Sequence, residues 1–333
     1  MARGVGGVGS LNTAEVFSVG RCGVDIYPQQ VGVRLEDVST FAKYLGGSAA
    51  NVAVAAARYG RGVSLFTGVG DDPFGRFVIK ELVRLGVDAS HVVVNRQFNT
   101  PVTFCEIFPP DEFPLYFYRQ PTTPDLEIRP EDLPGDLHRY KILWLTAGGL
   151  SAEPSRSAHV AAVSVPREGL TVLDLDYRSR FWPDESSATA AVGEMLQHVD
   201  VAVGNVEECR IAVGETDPER AADALLDRGV AVAIVKQGLV GTLAKSRDER
   251  TFVPSTPVEV VNGLGAGDAF GGALCHGLLS GWDLHRVISF ASAAGGIVAS
   301  RLECSTAMPF AEEVEALMAA NPQVLEASEV WRG

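Results

Sequence analysis

Residues 258–272 read VEVVNGLGAGDAFGG, and this stretch decides the fold. An apolar run ends at Asn262, glycines stand at positions 263, 265 and 267, and a helical pattern begins near Asp268. The spacing predicts a strand that runs out into a glycine loop and then a helix. Glycines there let backbone N–H groups converge without side-chain interference, and the helix start adds the positive end of its dipole. Such a loop suits an anion, above all a phosphoryl group in transfer. An aspartate in the first turn of that helix lies beside the point where a hydroxyl attacks, and its carboxylate takes the proton. The plainer reading of Asp268 is an N-cap in a glycine-rich turn. Four companion stretches weigh against it.

Residues 45–51, LGGSAAN, place two glycines before an alanine-rich helix, as a tight turn or as a point of close ligand approach. Residues 20–25, GRCGVD, follow the first strand and put Asp25 at the carboxyl edge of a parallel sheet, where ligands of such sheets bind. Residues 205–208, NVEE, follow a strand and also read as a capped helix start. Residues 236–241, KQGLVG, offer glycines after another strand, where a nucleotide phosphate can approach.

Around these stretches short apolar runs alternate with amphipathic segments, the pattern of a mostly parallel α/β sheet flanked by helices. Strands are expected at 16–19, 63–66, 142–146, 171–175, 201–203 and 232–235. Helices are expected at 49–59, 75–85, 154–163, 188–198, 219–228, 268–279 and 284–300. Two regions break the rhythm: 25–44 is extended, and 101–119 holds two aromatic-rich strands, 102–108 and 115–118. Together they predict a small antiparallel sheet, read as a lid over the site, the plainer alternative being a fixed edge hairpin. The expected organisation is one domain over 14–320, a lid built from about 25–45 and 100–120, and a disordered leader over 1–13.

The 333 residues are 46% hydrophobic and carry a formal net charge of −14. That acidity lacks the footprint of a nucleic-acid binder. No run approaches the ~18 uncharged apolar residues of a membrane span. Five scattered cysteines with no CxxC pair speak against a zinc site or a disulfide framework and suit the cytoplasm.

These motifs, in this order, resemble the ribokinase-like (PfkB) family of carbohydrate kinases, over about residues 15–309. The resemblance implies a doubly wound α/β domain with a β-sheet lid, ATP and Mg²⁺ as cofactors, and a small sugar-like acceptor. It implies Asp268 as the base and Gly265, Ala266 and Gly267 as the anion hole. Asp25, Gly46, Gly47 and Asn51 would contact substrate hydroxyls. Asn205, Lys236, Gly238, Gly241 and Ser292 would line the nucleotide, and Glu208 would serve the metal. Asn262 and Gly263 stand where the family usually has aspartate and threonine, which puts dependence on a monovalent cation in question. Ser48 and Gly23 depart from the ribose-binding pattern. The stretches FYRQPTTPD (117–125), DLDYRSRFW (174–182) and CSTAMP (304–309) are similar to branches acting on keto-deoxy sugar acids. That similarity implies Arg178 and Arg119 as ligands of a substrate carboxylate; the plainer reading is that Asp174 or Asp176 simply holds Arg178 in an ion pair. The family resemblance implies possible pairing of two copies through their lids. A non-catalytic sugar-acid sensor on the same fold is the rival from another class, and it would need neither Asp268 nor the anion hole.

Overall fold

The protein, described from a computed structural model, is placed over residues 14–322. The expected leader at 1–13 lies outside the described residues. The chain opens with β1 (Ala14–Val19), then β2 (Gly23–Pro28), β3 (Phe41–Gly46) and the alanine-rich α1 (Ser48–Arg58). Next come β4 (Gly62–Gly70), α2 (Pro73–Arg84), β5 (Val92–Asn95), β6 (Val102–Cys105) and β7 (Leu115–Tyr118). The second half runs β8 (Ile142–Thr146), α3 (Ser155–Ser164), β9 (Leu170–Asp174), α4 (Glu185–Leu196), β10 (Val201–Asn205), α5 (Val206–Val213) and α6 (Pro218–Asp227). It ends with β11 (Val232–Lys236), β12 (Gly241–Lys245), β13 (Arg250–Pro254), α7 (Ala266–Leu279), α8 (Leu284–Ala299) and α9 (Ala311–Ala320).

Nine strands form one sheet in the order β13-β12-β11-β10-β9-β8-β1-β4-β5. The ladders from β11 through to β5 are parallel, and β12 and β13 add an antiparallel hairpin at one edge. Alternation along each strand divides the core between the two faces. Val16, Ile142 and Trp144 pack with α1, α7 and α8, whereas Phe17, Leu143 and Leu145 pack with α3, α4 and α6. Every residue of β8 is buried, as expected of a central strand covered on both sides.

A second sheet, in the order β3-β2-β6-β7, forms the lid. Its outer ladders are antiparallel, but its central pair β2–β6 is parallel, which departs from the expected antiparallel sheet. The cause is connectivity. Both β2 and β6 leave the main domain as outgoing strands, so they meet in the same direction. The apolar run before Asn262 is another departure: residues 255–265 carry no strand. This segment instead crosses to α8, where the N–H groups of Val261 and Asn262 both donate to the Ala299 carbonyl.

Candidate active site

The parallel strands end at one edge of the large sheet, and the motif residues gather there. Arg21 follows β1, Asp174 through Arg178 leave β9, Asn205 closes β10, and Lys236 closes β11. Helices α1 and α7 come close because small residues face each other. A Cβ on Gly271 would sit 2.6 Å from the Trp144 ring, and one on Gly272 would collide with Ala55. This approach sets Asn51 Nδ2 to donate to Asp268 Oδ2 at 2.8 Å.

Helix α7 begins as its packing partner α1 does, at a positive-φ glycine without a side-chain cap. Helices α2, α4, α6 and α8 each start at an aspartate whose side chain accepts a backbone N–H of the first turn. The N-cap of α7 is Gly265, at φ 83°, with no side chain capping the helix. Only a residue without Cβ takes that conformation cheaply, and here a Cβ would also fall 2.8 Å from Cys304 Sγ. No side chain caps the first-turn N–H groups of α7, which leaves them suited to an outside anion. Asp268 is three residues past Gly265, so it is not an N-cap, which removes the plainer reading of that residue.

Burial raises the Asp268 carboxyl first, Asp176 adds to it, and the Asn51 hydrogen bond with Arg21 and Arg178 opposes it; the balance is about 6. Asp25 is pushed up to about 7, chiefly by burial. Asp25 also fills the space that a Cβ on Gly46 would need, and Gly47 takes φ 100° as the N-cap of α1. Asp174 is raised by burial. Asp176 is held low although burial opposes it, because Arg178 and Arg21 flank it and Ser48 donates to it.

A cavity of about 60 Å³ collects Arg21, Asp25, Asn51, Arg178 and Asp268, and Phe117 of the lid helps to close it. That volume admits a few waters, with Phe117 of the lid on its wall. Arg178 Nη2 lies 2.9 Å from Asp176 Oδ1, its Nη1 lies 3.6 Å from Glu208 Oε1, and its Nε is buried without a partner. Arg119 does not line this cavity. Its guanidinium pairs with the buried Asp125 at 2.7 Å and stacks 5.0 Å from the Phe181 ring.

The residues expected around a nucleotide follow β10 and β11. Asn205 and Glu208 form a capping box, Asn205 N to Glu208 Oε2 at 2.7 Å and Glu208 N to Asn205 Oδ1 at 2.9 Å. The helix-start reading of NVEE is therefore realised, and Glu208 Oε1 remains beside Arg178. A Cβ on Gly267 would meet Lys236 Nζ at 3.3 Å, so the lysine ammonium faces the start of α7. Burial works against the charge on Lys236, but Asp174, Glu208 and Asp268 outweigh it and raise its pKa. Gly238 turns the chain after β11 and Gly241 opens β12. The Ser292 hydroxyl, on α8, is buried without a partner.

This donor set fits a nucleotide triphosphate: amide donors at an uncapped helix start, one buried ammonium beside it, and glycines where a Cβ would intrude. Among the described residues no group of three or more His, Cys, Asp or Glu side chains can hold a metal alone. That suits Mg²⁺, which binds through phosphates, waters and one or two carboxylates. A monovalent cation finds less. Asn262 is buried, its Nδ2 donates to Leu302 O at 2.7 Å, and its Oδ1 accepts from Leu264 N at 3.0 Å. A neutral amide with both ends engaged offers that cation no carboxylate.

Arg21 was not singled out by the sequence, although it lies in a quoted motif, and a charged side chain just past a parallel strand is the signal that marks it. Asp176 does hold Arg178, as the plainer reading of that arginine has it.

The pfkB family carbohydrate kinase model matches residues 13–311. The 5-dehydro-2-deoxygluconokinase of Geobacillus thermodenitrificans is 32% identical over 310 residues, 90% of this chain and 92% of that protein. Its namesake in Bacillus subtilis is 28% identical over 92% of this chain and 96% of its own length. Among solved structures, a Vibrio cholerae fructokinase variant with fructose, ADP and potassium is 26% identical at a TM-score of 0.82, over 92% of this chain and 99% of that one. An E. coli kinase structure with ATP and Mg²⁺ has a TM-score of 0.85 at 24% identity, over 92% of this chain and all of that one. With an uncapped glycine helix start, an aspartate beside it and a lid over both, the chain belongs to the pfkB family of carbohydrate kinases and is an ATP-dependent enzyme.

Proposed function

We propose that the chain transfers the γ-phosphoryl group of ATP to the terminal hydroxyl of a keto-deoxy sugar acid, specifically 5-dehydro-2-deoxy-D-gluconate, giving its 6-phosphate in myo-inositol catabolism. The names of the curated relatives support the substrate. The observation that carries the reading is the charge layout of the cavity, which has Asp268 and Arg178 on one wall system. In this reading the hydroxyl proton passes to the Asp268 carboxylate. The hydroxyl oxygen forms the new O–P bond, and the bond to the bridging oxygen breaks with its electron pair leaving on ADP. Gly265, Ala266 and Gly267 hold the group in transfer. Asp25, Gly46, Gly47 and Asn51 contact acceptor hydroxyls. Lys236, Asn205, Gly238, Gly241 and Ser292 line the nucleotide, and Glu208 serves the Mg²⁺ that neutralises phosphate charge. Arg178 takes the carboxylate through the planar fork that lysine lacks.

One domain over 14–320 carries this site. We place it in the cytoplasm, where its five free, buried cysteines stay reduced, and no described helix is long and apolar enough to cross a membrane. Small-molecule acceptor and ATP are its ligands, without nucleic acid, and two copies pair through their lids. A 2-keto-3-deoxygluconate kinase is the second reading, favoured by the adjacent pairs Tyr118–Arg119 and Tyr177–Arg178.

An ATP-consumption panel over keto-deoxy sugar acids and neutral hexoses tests the proposal, with 5-dehydro-2-deoxy-D-gluconate expected to lead. Arg178→Lys should lower kcat/KM for the acid by roughly 1.5–3 kcal/mol, the scale of a charged hydrogen bond, and affect a neutral analogue less. Preference for a neutral hexose, or equal losses on acid and analogue, would overturn it.

A further inference from the structure

We propose that Arg21 is a second anion-binding guanidinium of the acceptor pocket, which grips the substrate carboxylate together with Arg178 on a platform completed by the lid. This rests on the sugar-acid reading above and names a residue it does not use.

Arg21 lines the cavity that holds Asp268, and its side chain is only 13% exposed. Its hydrogen bonding is incomplete for a buried charge. Nη2 reaches Asp176 Oδ2 and Ser48 Oγ, each at 3.4 Å, the outer limit of a hydrogen bond. Ser48 itself holds the same Asp176 oxygen more closely, at 3.0 Å. Arg21 Nε is buried with no partner. Buried guanidinium donors are ordinarily satisfied, so an under-used fork on a cavity wall points to a ligand that completes it.

The two arginines differ in how fully they are engaged. Arg178 divides its contacts between Asp176 Oδ1 at 2.9 Å and Glu208 Oε1 at 3.6 Å, whereas the hydrogen bonds of Arg21 to Asp176 and Ser48 are both at the 3.4 Å limit. Arg119 offers the contrast, since its fork is engaged by Asp125 at 2.7 Å away from the cavity.

Orientation comes from two rings. The Arg21 guanidinium lies 5.5 Å from the Phe117 centroid and 5.6 Å from that of Phe181, and the rings meet edge to face at 5.0 Å. Stacking on aromatic faces leaves the in-plane N–H edge free for a carboxylate. Phe117 belongs to β7, so the platform exists only with the lid in place. Recognition of the acid and closure of the lid become one event.

The rival role for Arg21 is a structural pin between Asp176 and the lid rings. Arg21→Lys and Arg21→Gln, checked by thermal melting, separate the two when KM and kcat are measured on the sugar acid and on a neutral analogue of equal length. The expected result is a rise in KM for the acid of roughly 10- to 100-fold, with the lysine variant retaining more affinity than the glutamine variant. The loss on the acid should exceed that on the analogue by about tenfold or more. Equal losses on both substrates, or an unchanged KM for the acid, overturn the assignment. If the variants keep a wild-type preference for the acid, Arg21 alone is wrong. If the wild-type enzyme shows no such preference, the sugar-acid reading falls and takes the Arg21 proposal with it.

Discussion

At the scale of single residues, the proposed base role of Asp268 sets folding against catalysis. Its carboxyl, raised to about 6, must be ionised to accept a proton. Below that value kcat/KM should fall about tenfold per pH unit, a limb that a pH–rate profile reads directly. Folding has the opposite sign. A carboxyl raised from 3.8 binds protons more readily in the folded chain, so its contribution to stability is full below 3.8 and is lost as pH rises through about 6. Asp268→Asn should therefore melt at the same temperature or higher at pH 7, while kcat drops about 10²–10⁴-fold. Asn51 assists, because its Oδ1, buried without a partner, can turn to accept from the new amide. Near-normal turnover in this variant would remove Asp268 from the chemistry. Asp268 and its glycine loop were legible because they are contiguous in sequence. Arg21 was not, since its meaning comes from a contact with Asp176 across 155 positions of chain that no local pattern encodes.

Among the elements, the lid is where sequence and structure met least evenly. Its aromatic strands stood out from the α/β rhythm, yet the parallel β2–β6 ladder depends on two segments separated by β3, α1, β4, α2 and β5. Strands β5, β12 and β13 were missed as well. They span only four or five residues each, so their apolar pattern is too brief to separate from loop. The lid has only a small buried cluster of its own, including Tyr27, Cys105 and Ile107 joined by Cys304 from beside α7. Val24 and Leu45, at the base of the lid, belong instead to the larger core of the main domain. Hydrogen exchange over 101–119 should slow when sugar acid binds. Equal exchange with and without ligand would make the sheet a fixed appendage.

For the whole molecule, the proposed pairing of two copies uses the lid's outer face. Phe41 and Tyr118 are 40% and 66% exposed there, and Phe104 touches both rings edge to face. An aromatic stripe left open on an otherwise acidic chain favours burial against a like surface. Light scattering should give twice the 35.4 kDa chain mass, and Tyr118→Asp should return it to the single-chain value. A wild-type chain that stays monomeric at micromolar concentration would exclude this pairing.

The parallel centre of the lid also bears on how the protein is made. On the ribosome β2 and β3 emerge early, but the other edge of β2 waits for β6, which follows only after the stretch from Gly46 to Val102. At ordinary elongation rates that wait lasts up to about ten seconds. During it the hairpin offers a bare strand edge to any neighbouring nascent chain. An enzyme whose gate is built from two distant pieces of sequence thus carries its hazard of misassembly in the first third of its synthesis, before the catalytic helix exists at all.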